Sequence, residues 1–231
     1  METQTMFIIG TGLLLLISAY LYWRYIWFFR NPGRAPRGSG LVSPADGRVV
    51  YAREVNPREK VIAIKRGVAA SINDICRQDL ACPKIHIGIF MSPFNVHYNR
   101  APLSGEIKFI HHYPSNPENV QMLPMHWRSL FRRTDYTRNS LHLLQNERTV
   151  TCIEGLYREQ RLPCYVVQIA GKRVRGIESF FKPEQQLARG EIFGMIRIGS
   201  QVDVVVPRAA GLKIRVRAGD RVRAGETLLI E

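Results

Sequence analysis

The stretch IFGMIRIGSQVDVVVP, Ile192–Pro207, carries strand-like apolar residues on both sides of a Gly-Ser pair. Apolar and β-branched residues in such a run are typical of strands buried in a sheet. Gly199 has no side chain, so its carbonyl group is open to close approach, and Ser200 carries a hydroxyl group next to it. By itself such a pair usually marks a bend or bulge in a strand. The alternative is a peptide bond that its own serine attacks.

Most segments on the N-terminal side of this stretch also predict strands. They run apolar or alternate apolar with polar residues, as in GRVVYAREV, KVIAIKRGV, KIHIGIFM, GEIKFIHHY, RTVTCIEGLY, CYVVQIAG and KRVRGIESFF. Residues 71–80 form one short helix candidate, and the irregular segment 114–138 is interpreted as a membrane-facing loop. The pattern predicts a mainly β (α+β) body, with hairpins folded into a sandwich or barrel-like form.

The first thirty residues predict a transmembrane helix. Residues 6–23, MFIIGTGLLLLISAYLYW, carry no charge and reach the lower limit of a membrane span. A cleaved signal peptide is the competing interpretation, but METQT has no basic residue and no small-residue cleavage site follows. Arginines follow the apolar run, so the positive-inside rule places the rest of the chain in the cytoplasm, at the cell membrane. We therefore predict an anchor at 1–30, a basic linker at 31–40 and a folded domain at 41–231.

The C-terminal tail, GLKIRVRAGDRVRAGETLLIE, has two glycine turns between short strands. Its rhythm resembles the hairpin region of biotinyl and lipoyl carrier domains. The modified lysine of those domains sits at a hairpin tip, whereas Lys213 lies within the strand-like LKIRV. The tail therefore resembles that fold without indicating a swinging cofactor.

A formal charge of +14 indicates an anionic partner, either nucleic acid or an anionic membrane surface. No zinc-finger, basic-zipper or RNA-binding motif accompanies the charge, so the anchor favours the membrane over nucleic acid. Cys76, Cys82, Cys152 and Cys164 lack the spacing of a metal site. Free thiols are the expected state, although the sequence leaves a disulfide open.

Several further segments indicate a function only when they are considered together. Asp46 lies in the turn PADG, His97 follows the strand KIHIGIFM in SPFNVHYNRAP, and QNERT opens a later strand. Alone, each is a turn, a structural histidine or a solvated loop. With FFRNPGR, GMIRIGSQVDVVVP and the tail, they resemble the ordered motifs of the short form of phosphatidylserine decarboxylase, over residues 28–231.

That resemblance implies a proenzyme that cuts itself between Gly199 and Ser200. Ser200 would become a pyruvoyl group, and the chains 1–199 and 200–231 would form a heterodimer, with a higher oligomer left open. The pyruvoyl group would decarboxylate phosphatidylserine to phosphatidylethanolamine through a Schiff base, with no metal ion. His97 would act as base and as proton donor, with Asp46 orienting it.

The chain departs from the long form of the family at one position. Long-form members have a second histidine three residues after the first, assigned to self-cleavage, where this chain has Arg100. Either His97 serves both self-cleavage and decarboxylation, or another group serves self-cleavage. His86 is a candidate for that second group. Arg100 is a candidate for binding the phosphate or carboxylate of the substrate, and His86 is a second candidate for substrate binding.

Three alternatives stay open from the sequence. The substrate is an archaeal ether-linked phosphoserine lipid, or the protein binds anionic lipid without processing itself, or it binds nucleic acid. The pair Gly199-Ser200 together with His97 favours the decarboxylase.

Overall fold

The N-terminal segment forms a helix that makes up most of a compact unit of its own. The computed structural model describes residues 2–57, 59–65, 68–77, 81–131, 140–172, 176–197, 200–209 and 211–231. Two compact units are present, residues 1–32 and residues 33–231. The first holds α1 (Glu2–Tyr22), which continues as a short π-helix (Trp23–Trp27). By length and composition, Glu2–Trp27 is long and apolar enough to cross a membrane, and α1 buries none of its residues.

Strands dominate the second unit. Its described helices are short: α2 (Ile72–Cys76), α3 (Leu123–Leu130) and α4 (His142–Gln145). Its described strands are β1 (Leu41–Val42), β2 (Gly47–Val55), β3 (Lys60–Lys65), β4 (Val68–Ser71), β5 (Lys84–Met91), β6 (Tyr98–Arg100), β7 (Gly105–Tyr113), β8 (Arg148–Tyr157), β9 (Gln160–Ala170), β10 (Ile177–Ser179), β11 (Gln186–Leu187), β12 (Ile192–Ile196), β13 (Ser200–Pro207), β14 (Arg221–Val222) and β15 (Leu228–Ile230).

A curled eight-stranded sheet is the central element, in the order β11-β7-β8-β9-β13-β5-β2-β14. Strand β13 runs antiparallel to both β5 and β9, so it lies inside the sheet. All eight residues of β5 are buried, which explains why KIHIGIFM reads as a nearly continuous apolar run. A strand covered on both faces needs apolar side chains on both, and its polar residues need partners inside.

Each face of the sheet supports its own core cluster. Val202 and Val204 belong to the first cluster, with residues of β1, β12 and β15. Val205 belongs to the second cluster, with residues of α2, α3 and α4. Because successive side chains of a strand point to opposite faces, Ser200 shares the face of Val202 and Val204. The face that carries Ser200 is called here the serine face, and the other the helix face.

The prediction of a mainly β body behind an N-terminal apolar helix is confirmed. Strands β2, β5 and β7 coincide with the runs GRVVYAREV, KIHIGIFM and GEIKFIHHY. Helix α3 was not expected, because the prolines of its segment suggested a loop. Pro124 lies in the first turn of the helix, where a missing N–H group costs nothing.

The C-terminal tail folds back on itself. Backbone hydrogen bonds join Lys213 with Glu231 in both directions, at 2.6 and 2.9 Å. Gly219 and Gly225, the glycines of the two predicted turns, have φ angles of 98° and 74°, a region that favours glycine. The likeness of this tail to a carrier-domain hairpin stays a prediction.

Candidate active site

Ser200 is the first residue of β13 and is completely buried. Its Cα position pairs with Met91 of β5 on one side and with Ala170 of β9 on the other. Its hydroxyl group lies 3.3 Å from the sulfur of Met91, which is a weak acceptor. The other half of the predicted cleavage site, Gly199, lies outside the described residues. The hydroxyl group is thus held in a dry, weakly polar setting, without an acid or base bonded to it among the described residues.

Four segments meet at the end of the sheet where β13 begins. Strand β5 ends at Met91, which pairs with Ser200, and β9 ends at Ala170, which pairs with Ser200 from the other side. Strand β2 begins at this end as well, because its Arg48 pairs with Phe90. The turn that follows β5 and the PADG turn that precedes β2 therefore lie at the same end of the sheet as Ser200. This register brings the segments of Asp46 and His97 toward the candidate nucleophile.

His97 is fully buried and follows a tight turn. Asn95 shapes that turn, since its side chain accepts from the Ser92 amide at 2.8 Å. The Nδ1 atom of His97 lies 2.9 Å from the backbone oxygen of Asn95. A carbonyl oxygen can only accept, so Nδ1 carries the proton and, in the neutral ring, Nε2 carries the lone pair. The backbone oxygen of His97 accepts from the Ile196 amide at 3.3 Å, which ties His97 to the strand that leads to Ser200.

Asp46 forms a two-pronged ion pair with Arg34. Its Oδ1 and Oδ2 atoms accept from Nη1 and Nη2 of Arg34 at 2.5 and 2.9 Å. Oδ1 also accepts from the Ala224 amide at 2.8 Å. Among the described residues Asp46 has no hydrogen bond to His97. The predicted linker therefore contributes a buried partner to the candidate site, and Oδ2, which has one described donor, retains capacity for another.

Arg100 lies beside this ion pair. Its Nη1 atom donates to the Gly190 oxygen at 2.9 Å, and its backbone amide donates to the Pro44 oxygen at 2.9 Å. Burial lowers the pKa of Arg100, and the neighbouring charge of Arg34 lowers it further, while Asp46 acts in the opposite direction. Arginine keeps its proton under such a shift, so Arg100 is a cation for an anionic group.

His86 lies on the helix face, away from Ser200. Val205 pairs with His86 in the sheet, and paired residues share a face. The Nε2 atom of His86 lies 2.8 Å from Oδ2 of Asp203, which also accepts from the Tyr51 hydroxyl group at 2.5 Å. The sheet itself thus separates His86 from Ser200, and the structure does not bring the two together.

The same buried network holds Gln201, the residue after Ser200. Gln201 Nε2 donates to the Tyr51 oxygen at 2.7 Å and to Asp203 at 2.8 Å, and its Oε1 lies 3.0 Å from Nε2 of His142. Burial lowers the pKa of His142 to about 4, so the ring is neutral and donates from Nε2. Five polar side chains on the helix face thereby fix the backbone at the start of β13.

Two amide side chains on the serine face were missed by the sequence analysis. Gln168 pairs with Val202, so it lies next to the Ser200–Ala170 pair on the same face. Its Nε2 donates to Asn99 Oδ1 at 2.8 Å, while its Oε1 is buried without a hydrogen-bond partner among the described residues. A glutamine inside the apolar run YVVQIA was the available signal, since buried polar groups need partners.

The chain matches the family model for phosphatidylserine decarboxylase over residues 21–230. It belongs to the phosphatidylserine decarboxylase family. This family membership makes the chain a decarboxylase enzyme and assigns it the role of a proenzyme.

Curated relatives of this decarboxylase span bacteria and archaea. The chain is 35% identical to a phosphatidylserine decarboxylase proenzyme of Nitrosomonas eutropha, over 88% of this chain and 76% of the relative. It is 30% identical to one of Chlorobium limicola, over 93% and 82%. It is also 34% identical to a protein named as an archaetidylserine decarboxylase proenzyme of Methanopyrus kandleri, over 88% and 80%.

Proposed function

We propose that this protein cleaves itself between Gly199 and Ser200 and then decarboxylates phosphatidylserine to phosphatidylethanolamine and CO2. The observation that carries the proposal is the position of Ser200, buried at the start of the central strand β13. The segments of Asp46 and His97 come to the same end of the sheet. The cleaved chains, 1–199 and 200–231, stay together as a heterodimer.

Self-cleavage begins at the hydroxyl group of Ser200. His97 Nε2, the atom with the lone pair, takes the hydroxyl proton while Oγ bonds to the Gly199 carbonyl carbon. His97 then returns the proton to the nitrogen of residue 200 as the Gly199–Ser200 C–N bond breaks, so that an ester and a free amine replace the amide. Loss of the α-proton of residue 200 expels the Gly199 carboxylate, and water then releases ammonia from residue 200. The products are a large chain that ends at Gly199 and a small chain with a pyruvoyl cap.

The residues around Ser200 fit a neutral pyruvoyl group. The sulfur of Met91 and the methyl group of Ala170 flank this position, and neither requires a charged partner. The buried Oε1 of Gln168, which lacks a described partner, offers an acceptor on the same face for a donor such as the substrate amine. When present, the pyruvoyl carbonyl supplies the electrophile that takes up the electron pair released with CO2.

The remaining site residues act on the substrate or on His97. His97 Nε2, once protonated, donates the proton that replaces CO2 on the substrate carbon. Arg100 is the proposed cation for the phosphate or carboxylate of the substrate. Asp46 is the proposed orienting partner of the His97 ring in its protonated form, in which both ring nitrogens donate, through the acceptor capacity that remains on Oδ2. His86 has no proposed contact with the substrate, because it is bonded to Asp203 on the helix face.

The membrane supplies the substrate. Helix α1 and its π-helical continuation are proposed as a single anchor in the cell membrane. Arg24, Arg30 and Arg37 follow the apolar run, so the positive-inside rule places the catalytic unit in the cytoplasm. An anchored enzyme meets a lipid substrate without extracting it from the bilayer.

An ether-linked lipid is the second candidate substrate. Relatives named for phosphatidylserine and for archaetidylserine match this chain at similar identity. The two lipids share the phosphoserine headgroup, and the proposed chemistry acts only there.

The test is the variant Ser200→Ala, with Ser179→Ala at the exposed last residue of β10 as its control. Denaturing intact mass should give two chains for the wild type and for Ser179→Ala, with a blocked N-terminus on the small chain. Ser200→Ala should stay one chain and release no CO2 from phosphatidylserine or from its ether analogue. Decarboxylation by intact Ser200→Ala would overturn the mechanism. A wild-type chain that stays intact and inactive would favour the lipid-binding alternative.

A further inference from the structure

The segment QNERT, residues 145–149, runs from the last residue of α4 into strand β8. Two of its polar residues, Asn146 and Arg148, are each only 1% exposed. Buried polar side chains in folded proteins are hydrogen-bonded almost without exception. The partners of these two side chains are backbone groups, and they lead to the residue that lies beside Ser200 in the sheet.

The Asn146 side chain uses both of its polar ends. Nδ2 donates to the Ala170 oxygen at 2.6 Å and to the Val120 oxygen at 3.0 Å, and Oδ1 accepts from the Val120 amide at 2.8 Å. A backbone amide can only donate, so the Val120 amide fixes which end of the side chain is the oxygen. Nδ2 is therefore the end that faces Ala170.

Ala170 is held by QNERT through both of its backbone groups. Its amide donates to the Glu147 oxygen at 2.9 Å, and its oxygen accepts from Asn146. Because both groups point away from β13, Ala170 and Ser200 form a ladder pair without mutual backbone hydrogen bonds. Side chains lie closer together in such a pair than in a hydrogen-bonded one. A shift of the Ala170 backbone is therefore transmitted to the side chain of Ser200.

Arg148 holds the turn that presents Asn146. Its Nε and Nη2 atoms donate to the Asn146 oxygen at 3.2 and 3.1 Å. Its Nη1 atom donates to the oxygens of Leu143 in α4 and Asp74 in α2, at 2.7 and 2.9 Å. Burial lowers the pKa of Arg148 to about 10, so the group is charged at neutral pH and its bonds to these oxygens are charge-assisted.

Helix α4, which leads into QNERT, reaches the residue after Ser200. Nε2 of His142 lies 3.0 Å from Oε1 of Gln201. Ser200 is thus flanked along the chain by Gln201 and across the ladder by Ala170. The continuous segment of α4 and QNERT bonds to both of these neighbours.

We propose that Asn146 is a positioning residue for self-cleavage, which holds Ser200 against the Gly199 carbonyl group by fixing Ala170. It acts through the Ala170 backbone and not on the reacting atoms. Attack on a carbonyl carbon needs the hydroxyl oxygen at close distance and in the correct direction, and a displacement of about 1 Å can cost about a hundredfold in rate. The proposal rests on the proposed self-cleavage and gives QNERT a part in it.

Asn146→Asp is the direct test, because aspartate keeps the acceptor for the Val120 amide and loses the donor to Ala170. Self-cleavage should slow by at least about tenfold, measured by denaturing mass spectrometry as the intact chain converts to two chains. Asn146→Ala, which brings no charge into the core, should slow it as well. Asn119→Asp is the matched control. Oδ1 of Asn119 accepts from the Glu147 amide at 2.7 Å, and aspartate keeps that acceptor, so the rate should stay that of the wild type.

A second control separates the position of Ser200 from the stability of the fold. Each variant is also made in the Ser200→Ala chain, which cannot cleave, and its free energy of unfolding is measured in detergent. Leu162→Ala, at a buried residue near the start of β9, should lower that free energy at least as much as the Asn146 variants do. With Ser200 present, Leu162→Ala should nevertheless cleave at the wild-type rate.

Hydroxylamine identifies the step that is slowed. It attacks an ester at the carbonyl carbon, so it would leave a hydroxamate on Gly199 and release a small chain that begins with an unmodified serine. Added hydroxylamine should not speed the cleavage of Asn146→Asp, because the slowed step precedes the ester.

Three outcomes would overturn this proposal. Wild-type cleavage rates in both Asn146 variants would remove the role of the side chain. Equal slowing in Leu162→Ala would reduce that role to a general contribution to stability. Rapid release of a serine-terminated chain from Asn146→Asp in hydroxylamine would move the effect to the later elimination. A wild-type chain that stays intact is a different result, since it would overturn the proposed function and this proposal with it.

Discussion

A histidine acts as a base at only one of its two nitrogens, and in His97 the Asn95 carbonyl decides which. Because that oxygen accepts from Nδ1 at 2.9 Å, the lone pair resides on Nε2. The Ser92–Asn95 turn holds the carbonyl in place through the 2.8 Å bond from the Ser92 amide. The tautomer is thus set by the backbone, and it does not require a hydrogen bond to Asp46.

At this residue we predict that His97→Gln slows self-cleavage by at least about a hundredfold, the usual minimum contribution of a general base. Glutamine retains polarity but cannot take the Ser200 proton. The conversion of intact chain to two chains, followed by denaturing mass spectrometry after synthesis, measures the rate. His112→Gln is the control, because that side chain is 53% exposed. Cleavage of His97→Gln at the wild-type rate would assign the base to another group.

At the scale of elements, β13 carries two kinds of chemistry on its two faces. Ser200 lies on the serine face beside Met91, while Gln201 and Asp203 point into the buried network of the helix face. The network fixes the strand on which the candidate nucleophile begins. The polar residues Gln201 and Asp203, inside an otherwise apolar strand, therefore hold the backbone next to Ser200 in place.

His142 makes this anchor sensitive to acid. Its pKa is lowered by burial from 6.5 to about 4 in the folded protein, so the unfolded chain binds a proton first as the pH falls. This group therefore costs no stability above pH 6.5. It destabilises the fold progressively between pH 6.5 and pH 4, by on the order of 3 kcal/mol in total.

We accordingly predict that His142→Asn flattens the decline in the free energy of unfolding between pH 6.5 and 4. Denaturant unfolding of the full chain in detergent, followed by circular dichroism at a series of pH values, provides the measurement. His112→Asn, at an exposed histidine, should keep the wild-type slope. An unchanged slope in His142→Asn would show that other groups cause the acid sensitivity.

The sequence predicted those elements whose patterns are local. Strands β2, β5 and β7 follow from alternating or continuous apolar residues, and their bounds agree with the runs. The face on which His86 lies depends on the pairing of β5 with β13, which no local pattern reveals. The partner of Asp46 was hidden for a related reason. Arg34 reads as one of several linker arginines, and only the folded chain places it against the carboxylate.

At the scale of the whole molecule, the proposed cleavage site lies at the first residue of β13, a strand in the middle of the central sheet. Strand β13 pairs with β5 from Ser200 to Pro207 and with β9 from Ser200 to Val205. Val202 and Val204 are fully buried on one face, and Val205 on the other. Each such valine contributes about 1.5–3 kcal/mol by burial, in addition to the two hydrogen-bonded ladders.

We therefore predict that the chain 200–231 stays bound after cleavage, because it supplies the middle of the sheet as well as β14 and β15. Size-exclusion chromatography in mild detergent should elute both chains together, and the same column in guanidinium chloride should separate them. Ser200→Ala should elute at the same position as the wild type in detergent and give one peak in guanidinium. Loss of the small chain in mild detergent, with decarboxylation retained, would mean that β13 is not needed to hold the mature fold together. The reason for the expected retention is geometric. A strand paired on both sides and covered on both faces cannot leave without opening the ladders to β5 and β9 and exposing both cores at once.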